Sequence, residues 1–315
     1  MKNKISIIGS GNVGIRYAYA LIMKGLARTL VIVDMDKKRL EGEVMDLSHG
    51  APFISPVEII AGDYPDIEDS DIVIITAGKK QRAGQTRLEL VKDNVENYRK
   101  IVPEVVKYAP FAILIAVTNP VDVLAYAAFK FSSKPAREVI GSGTVLDTAR
   151  FRFLLARHCQ VDPHNVHAYI LGEHGDTEFP VWSNAMIGGI LFKKYCSLCS
   201  TNHPCHPEIE LENIFTQVRD SAYRIIEKKG ETSYAIGLSL VRITQAILND
   251  ENAIMPVSSL IGNYLGIKDV FLSLPAVINK NGVREILKLE LSAQEEKQFK
   301  KSAQTIKEII KKVGL

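Results

Sequence analysis

Short, nearly unbroken apolar runs separated by helix-like segments constrain the first half of this chain more than any other feature. They lie at 5–8, 30–33, 57–61, 71–76 and 111–117 and consist largely of valine and isoleucine. A strand with one wet face alternates apolar and polar residues, whereas strands that do not alternate belong in a parallel sheet covered on both faces. Helices are expected between them at 12–24, where Gly25 is placed to end the turn, at 37–47, and at 88–108 apart from the region of Pro103. The predicted fold class is α/β, a doubly wound parallel sheet.

The second half is less regular. Helices are expected near 147–158, 209–229 and 235–248, strands near 166–171, 254–260 and 270–277, and an amphipathic helix from Ser292 onward. Gly141-Ser142-Gly143 marks the expected junction. It separates a dinucleotide-binding domain (1–142) from a mixed α/β substrate domain (143–315), with the helix at 235–248 packing back on the first. A length of 315 residues allows two such units. A formal net charge of +3, with Lys and Arg dispersed among Asp and Glu, offers no electrostatic footprint for nucleic acid. The longest apolar run is too short to span a bilayer, and the opening segment is too short for a signal-peptide core. Four cysteines without a secretory signal fit a reducing compartment. A soluble cytoplasmic protein is therefore expected, with neither membrane nor nucleic acid as a partner.

Gly9-Ser10-Gly11-Asn12-Val13-Gly14 follows the first strand and opens the first helix. Gly9 permits a tight turn, Gly11 lets the backbone approach a pyrophosphate, and Gly14 allows helix and strand to pack closely. The unpaired N–H groups and dipole of the helix end would hold the phosphates. Asp34 lies 20 residues beyond Gly14 at the end of the second strand. Its carboxylate suits ribose hydroxyls and repels a 2′-phosphate, which favours NAD over NADP. Val13 and Gly78 are placed with these cofactor residues. Tyr126 and Lys130 share the spacing of another dehydrogenase motif, but the glycine pattern here differs, and an ordinary helix face explains them better.

Asp147-Thr148-Ala149-Arg150 sets a carboxylate and a guanidinium nearly one helical turn apart. Arg150 has the planar fork that grips a carboxylate. His174, between Gly172 and Gly175, is a candidate acid whose tautomer and pKa Asp147 could set. Taken singly, His174 could be a surface residue and the Asp147–Arg150 pair an ordinary helix salt bridge. Their occurrence beside a dinucleotide motif is what points to reduction of a 2-oxo acid.

The chain resembles the lactate/malate dehydrogenase family over essentially its whole length. The matching motifs are Gly-Ser-Gly-Asn-Val-Gly at 9–14, the segment 78–90, Thr-Asn-Pro-Val-Asp at 118–122, Asp-Thr-Ala-Arg at 147–150 and Gly-Glu-His-Gly-Asp at 172–176. The resemblance implies a Rossmann sheet and a His174–Asp147 proton relay, with Arg150 anchoring the substrate carboxylate. It implies that Asn119 binds substrate oxygen and the nicotinamide ribose, with a cis Asn119-Pro120 bond. Thr232 and Ile236 would line the substrate pocket and the nicotinamide face, and Arg87, carried on a closing lid, would polarise the carbonyl.

Six residues before Arg87, the family's malate enzymes carry an arginine for the second carboxylate of oxaloacetate, and this chain has Gln81. With Arg150 as the fixed cation for one carboxylate, a second would be stranded at a cost of several kcal/mol. The expected reaction is the reversible, NADH-dependent reduction of pyruvate to L-lactate. Malate dehydrogenase or another 2-hydroxy acid dehydrogenase is the nearer alternative, and an idle NAD-binding or metal-sensing module the more distant one. Arg152 and His167 match residues that bind fructose 1,6-bisphosphate in the bacterial effector-activated members, which implies an allosteric site across a two-fold axis and a homotetramer. With the first strand expected at 5–8, an N-terminal arm like that of vertebrate relatives is not expected to take part in assembly. Finally, Cys196, Cys199, His203 and Cys205 could in principle hold zinc. Their compressed spacing, with Pro204 and Pro207 alongside, fits better with a loop bearing free thiols, and no metal is expected.

Overall fold

The computed structural model describes residues 3–79, 86–198 and 207–315. Six parallel strands, β1 (Lys4–Ile8), β2 (Thr29–Val33), β3 (Glu58–Gly62), β4 (Ile72–Ile75), β5 (Ile113–Ala116) and β6 (Val139–Gly141), lie in the order 3-2-1-4-5-6. Two small sheets follow in the chain, built from β7 (Val166–His167), β8 (Ile170–Leu171), β9 (Phe179–Pro180), β10 (Met186–Ile187) and β11 (Ile190–Leu191). The last strands, β12 (Ala253–Leu260), β13 (Phe271–Asn279) and β14 (Gly282–Ile286), run antiparallel and extend the large sheet from β6 to nine strands.

Apolar continuity in these strands has the reason anticipated for it. In β1, β2 and β4 successive side chains enter two different cores: Ile5, Ile7, Leu30, Ile32, Ile72 and Ile74 on one face, and Ile8, Val31, Val33, Val73 and Ile75 on the other. The first face is covered by α1 (Asn12–Met23) and α2 (Lys37–His49), the second by α3 (Arg87–Tyr108) and α4 (Val121–Ser132). α3 begins at a capping box in which the Glu89 N–H donates to Thr86 Oγ1 and the Thr86 N–H to Glu89 Oε2, so Arg87 is the first helical residue. The helix passes through Pro103 without a break. Val95, Tyr98, Val102 and Val105, all essentially inaccessible, hold both sides of the proline against the sheet. The hydrophobic gain outweighs the lost backbone bond.

The other helices are α5 (Val145–Cys159), α6 (Phe192–Leu198), α7 (Pro207–Lys229), α8 (Tyr234–Leu248) and α9 (Ala293–Lys312). α8 returns to the first half of the chain, where it shares a core with α1. Gly237 makes the approach possible: a Cβ there would lie 3.1 Å from the Arg16 carbonyl group. Tyr17 and Thr244, both wholly buried, close the contact with a 2.8 Å hydroxyl–hydroxyl bond. Tyr17→Phe leaves the Thr244 hydroxyl without that partner and should cost about 1–3 kcal/mol, read as a lower urea midpoint at unchanged slope.

One predicted strand divides. Residues 166–171 form β7 and β8, which belong to different sheets. The backbone at the break is satisfied by α5 and its N-cap Thr144: Arg152 Nε donates to the Ala168 carbonyl, Thr144 Oγ1 to the Ile170 carbonyl, and the Ile170 N–H donates to Thr148 Oγ1. α6, β6, β9, β10, β11 and β14 have no counterpart in the expectation from sequence. Among the described residues, no helix is long and apolar enough to cross a membrane.

Candidate active site

The nucleotide motif lies where β1 gives way to α1. Gly9 has a φ of +114°, and a Cβ on it would fall 2.6 Å from the Ala77 nitrogen. A Cβ on Gly14 would sit 2.1 Å from the Gly9 carbonyl oxygen, so neither position admits a side chain. Gly11 differs: nothing stands within 4 Å of its Cβ position, leaving open space above the loop. It N-caps α1 with no side-chain cap, and the first turn carries no acid. An open glycine over uncapped N–H groups fits a pyrophosphate.

Asp34 borders this loop. Its Oδ2 accepts from the Ser10 N–H at 2.6 Å and from Ser10 Oγ at 3.0 Å, and its Oδ1 accepts from the Asp36 N–H. Partial burial opposes ionisation, but the backbone and hydroxyl donors prevail and hold the carboxyl below its usual range. Val13 is partly buried in the first turn of α1, and Gly78 is exposed after β4. A Cβ on Gly78 would collide with Thr118 Cγ2 at 2.1 Å, which ties the exit of β4 to the Asn119 segment. These features accommodate NAD.

A cavity of about 650 Å³ opens beside the α3 N-terminus and is lined by Asn119, Asp147, Arg150 and His174 together with parts of α7 and α9. Asp147 is its pivot. With 2% of its surface exposed, it shares its two oxygens: Arg150 Nη1 reaches Oδ1 at 2.8 Å, and His174 Nδ1 lies 2.6 Å from Oδ2. Burial disfavours the ionised carboxyl, but His174 and Arg150 outweigh it and the pKa falls. Burial likewise works against imidazolium at His174, yet Asp147, with help from Glu178 and Asp122, pushes it up to about 9. At neutral pH this histidine is a cation whose Nδ1 is oriented by a carboxylate, leaving the other ring nitrogen to act as a proton donor.

Backbone geometry fixes the loop that carries His174. Gly172 has a φ of +91° and packs against Ser302. The His174 N–H donates to Asp122 Oδ2 at 2.8 Å, while Ser258 Oγ donates to Asp122 Oδ1. Asp122 is buried, and desolvation pushes it up to about 7 against the pull of these donors. Asn94 joins the other pieces: its Oδ1 accepts from the Lys79 N–H and its Nδ2 donates to the Asn119 carbonyl. The Asn119-Pro120 bond is cis.

Asn94, Asp122 and Glu178 were not singled out from the sequence. Asn94 looks like an ordinary polar position on a helix, and Asp122, although it ends the motif at 118–122, shows no sign of its contact with the His174 loop. A hint existed for Glu178, a carboxyl directly before the apolar run Phe179-Pro180-Val181-Trp182, where a charge is out of place.

The remaining expected site residues are placed unequally. Thr232, just before α8, and Ile236, in its first turn, are partly buried but do not line this cavity. Arg152 donates from Nε to the carbonyl of Ala168, the residue after His167, and its guanidinium lies over the Tyr169 ring. His167 is exposed on β7. Arg152 also lines a second cavity, of about 580 Å³, between α5 and α8. Arg87 begins α3. Gln81, Cys199, His203 and Cys205 lie outside the described residues, and Cys196 falls within α6. Tyr126 and Lys130 meet Asp269 on a helix face, away from this cavity.

Comparison with known proteins agrees with this geometry. Residues 3–141 match the family model described as lactate/malate dehydrogenase, NAD binding domain, and residues 144–314 match its alpha/beta C-terminal domain. An L-lactate dehydrogenase of a Thermoanaerobacter species is 50% identical over 313 residues, covering 99% of this chain and 100% of that one. L-lactate dehydrogenase 1 of Clostridium acetobutylicum is 50% identical over 305 residues, with 97% and 96% covered. Among solved structures, a lactate dehydrogenase from a Medee basin deep-sea metagenome library superimposes with a TM-score of 0.95 at 44% identity, covering both chains fully. The minor L-lactate dehydrogenase of Enterococcus mundtii, in its ligands-bound form, gives 0.95 at 40% identity, with 100% of this chain and 99% of that one covered. The glycine loop, the cofactor fit and the full-length matches agree, and the chain belongs to the lactate/malate dehydrogenase family.

Proposed function

We propose that the chain catalyses the reversible reduction of pyruvate to L-lactate with NADH. The observation that carries this reading is the sharing of one buried carboxylate, Asp147, between a cation that suits a substrate carboxylate and an imidazole charged at neutral pH. The L-lactate dehydrogenase names of its full-length relatives support it.

Reduced NAD supplies the hydride when bound. Arg150 holds the pyruvate carboxylate, His174 donates a proton to the carbonyl oxygen, and Asp147 stabilises the imidazolium before transfer and orients the neutral ring after it. Asn119 contributes a further polar contact from the cavity wall, and Arg87 completes the polarisation of the carbonyl. With glutamine rather than arginine at 81, that position brings no cation for a second substrate carboxylate. Thr232 and Ile236 belong to the pocket only if the segment ahead of α8 closes toward it.

We further propose that Arg152 and His167 bind a phosphate of fructose 1,6-bisphosphate and that the active form is a homotetramer in the cytoplasm. Arg152 is already held at the backbone beside His167. Outward-facing Tyr19 and Met23 on α1 and Tyr234 and Leu238 on α8 supply an apolar face suited to burial against another copy. Division into domains at 142/143 is supported by the two family models, which end and begin at 141 and 144.

Steady-state kinetics test the function directly. Pyruvate should give a higher kcat/KM than oxaloacetate, and fructose 1,6-bisphosphate should raise the pyruvate value while shifting sedimentation toward tetramer. A preference for oxaloacetate would make the chain a malate enzyme, and NADH binding without turnover would make it an idle module.

A further inference from the structure

The cavity that holds Asp147, Arg150 and His174 contains another carboxyl, which the chemistry above leaves unused. Glu178 ends the loop between β8 and β9 and is only 6% exposed. Its Oε1 is buried and has no hydrogen-bond partner among the described residues. A carboxylate oxygen of Glu178, one of Asp147 and a ring nitrogen of His174 all lie within 4.8 Å of one another. Packing alone does not explain such a group, because an unpartnered buried carboxylate costs several kcal/mol. The usual escape is to keep the proton.

The charged groups of the cavity around Glu178 come from its own loop and four helices. α5 supplies Asp147 and Arg150, and its own loop supplies Glu173, His174 and Asp176. α7 contributes Arg219, and α9 contributes Lys312. Asp122 of α4 stands behind His174 on the loop backbone. Burial and the Asp147 carboxylate push Glu178 well above the usual carboxylate range, while His174 and Arg150 pull it back.

Charge counting shows what this arrangement does. Asp147 is negative, and Arg150 and His174 are positive, which leaves one net positive charge around the pivot. If Glu178 is neutral, one substrate carboxylate balances that charge. If Glu178 is ionised, the group is already neutral and an arriving carboxylate is left in excess.

We propose that Glu178 is a proton-gated specificity residue: it holds a proton while a monocarboxylate occupies the pocket, and losing that proton drives the substrate out. This rests on the reading of the cavity as a pyruvate site. It concerns binding rather than proton transfer, which remains with His174.

The test is pyruvate reduction by the parent, Glu178→Gln and Glu178→Asp across the pH range in which all three remain folded by circular dichroism. Glutamine is a permanent analogue of the protonated acid. The ratio of parental KM to Glu178→Gln KM should therefore climb with pH, approaching about tenfold per unit. Glu178→Asp keeps an ionisable group and should keep a pH-dependent KM, so the proposal remains testable if the glutamine variant folds poorly. A KM ratio that does not change with pH overturns the gating role and leaves pyruvate turnover standing. Absence of pyruvate turnover in the parent sinks the function itself, and this inference with it.

Discussion

Asp147→Asn should lower kcat/KM for pyruvate by about 10²- to 10⁴-fold, the range expected when a general acid loses its alignment. The carboxylate accepts from two donors at once, Arg150 Nη1 and His174 Nδ1. An amide offers one oxygen and one NH2, so whichever way it turns, a donor faces a donor inside a site that is 2% exposed. His174 also loses the main influence that raises its pKa against burial. Imidazolium is the form needed for reduction, so the alkaline limb of the pyruvate profile, expected near pH 9 in the parent, should move to lower pH. Lactate oxidation requires the neutral ring and should lose less at neutral pH. Full pH profiles in both directions check this. An alkaline limb that stays in place would mean that Asp147 does not govern the histidine.

The parts of the fold legible in the sequence were those governed by burial on two faces. Runs such as 30–33 and 72–75 can only be strands covered on both sides, because adjacent residues enter opposite cores. Residues 166–171 looked like one strand because their composition is that of a strand. Two side chains of α5 and its N-cap Thr144 divide it by taking its backbone groups, and no local pattern announces a partner that far along the chain. β6 was too short to show a pattern at all. Within the site, Asp147, Arg150 and His174 were legible because two motifs hold them at fixed spacing, and the structure brings the three together. Asn94 acts only through tertiary contacts with Lys79 and Asn119, and nothing in its neighbourhood marks it; Asp122 ends a matching motif, but its bond to the His174 backbone is not visible there.

The largest change in selectivity should come from Gln81→Arg. Arg150 is the cavity cation that shares Asp147 with His174, and Asp147 already draws on it. Oxaloacetate brings a second carboxylate into a space bordered by Asp147, Glu173 and Glu178, where the other lining cations are Lys312 of α9 and Arg219 of α7, the latter already paired with Asp220. An unpaired charge in such surroundings costs several kcal/mol. An arginine at 81, carried on the segment that leads into α3, would supply that partner bidentately. If it recovers about 4 kcal/mol, the oxaloacetate-to-pyruvate ratio of kcat/KM should rise roughly a thousandfold. Pyruvate should suffer in the same variant, because the added cation would face a methyl group and lack a counter-charge. The two halves of the prediction are separable. A gain on oxaloacetate without a loss on pyruvate would mean that the arginine turns outward when the second carboxylate is absent. An unchanged ratio would mean that selectivity does not reside in the charge of this wall, and pocket volume would then have to account for it.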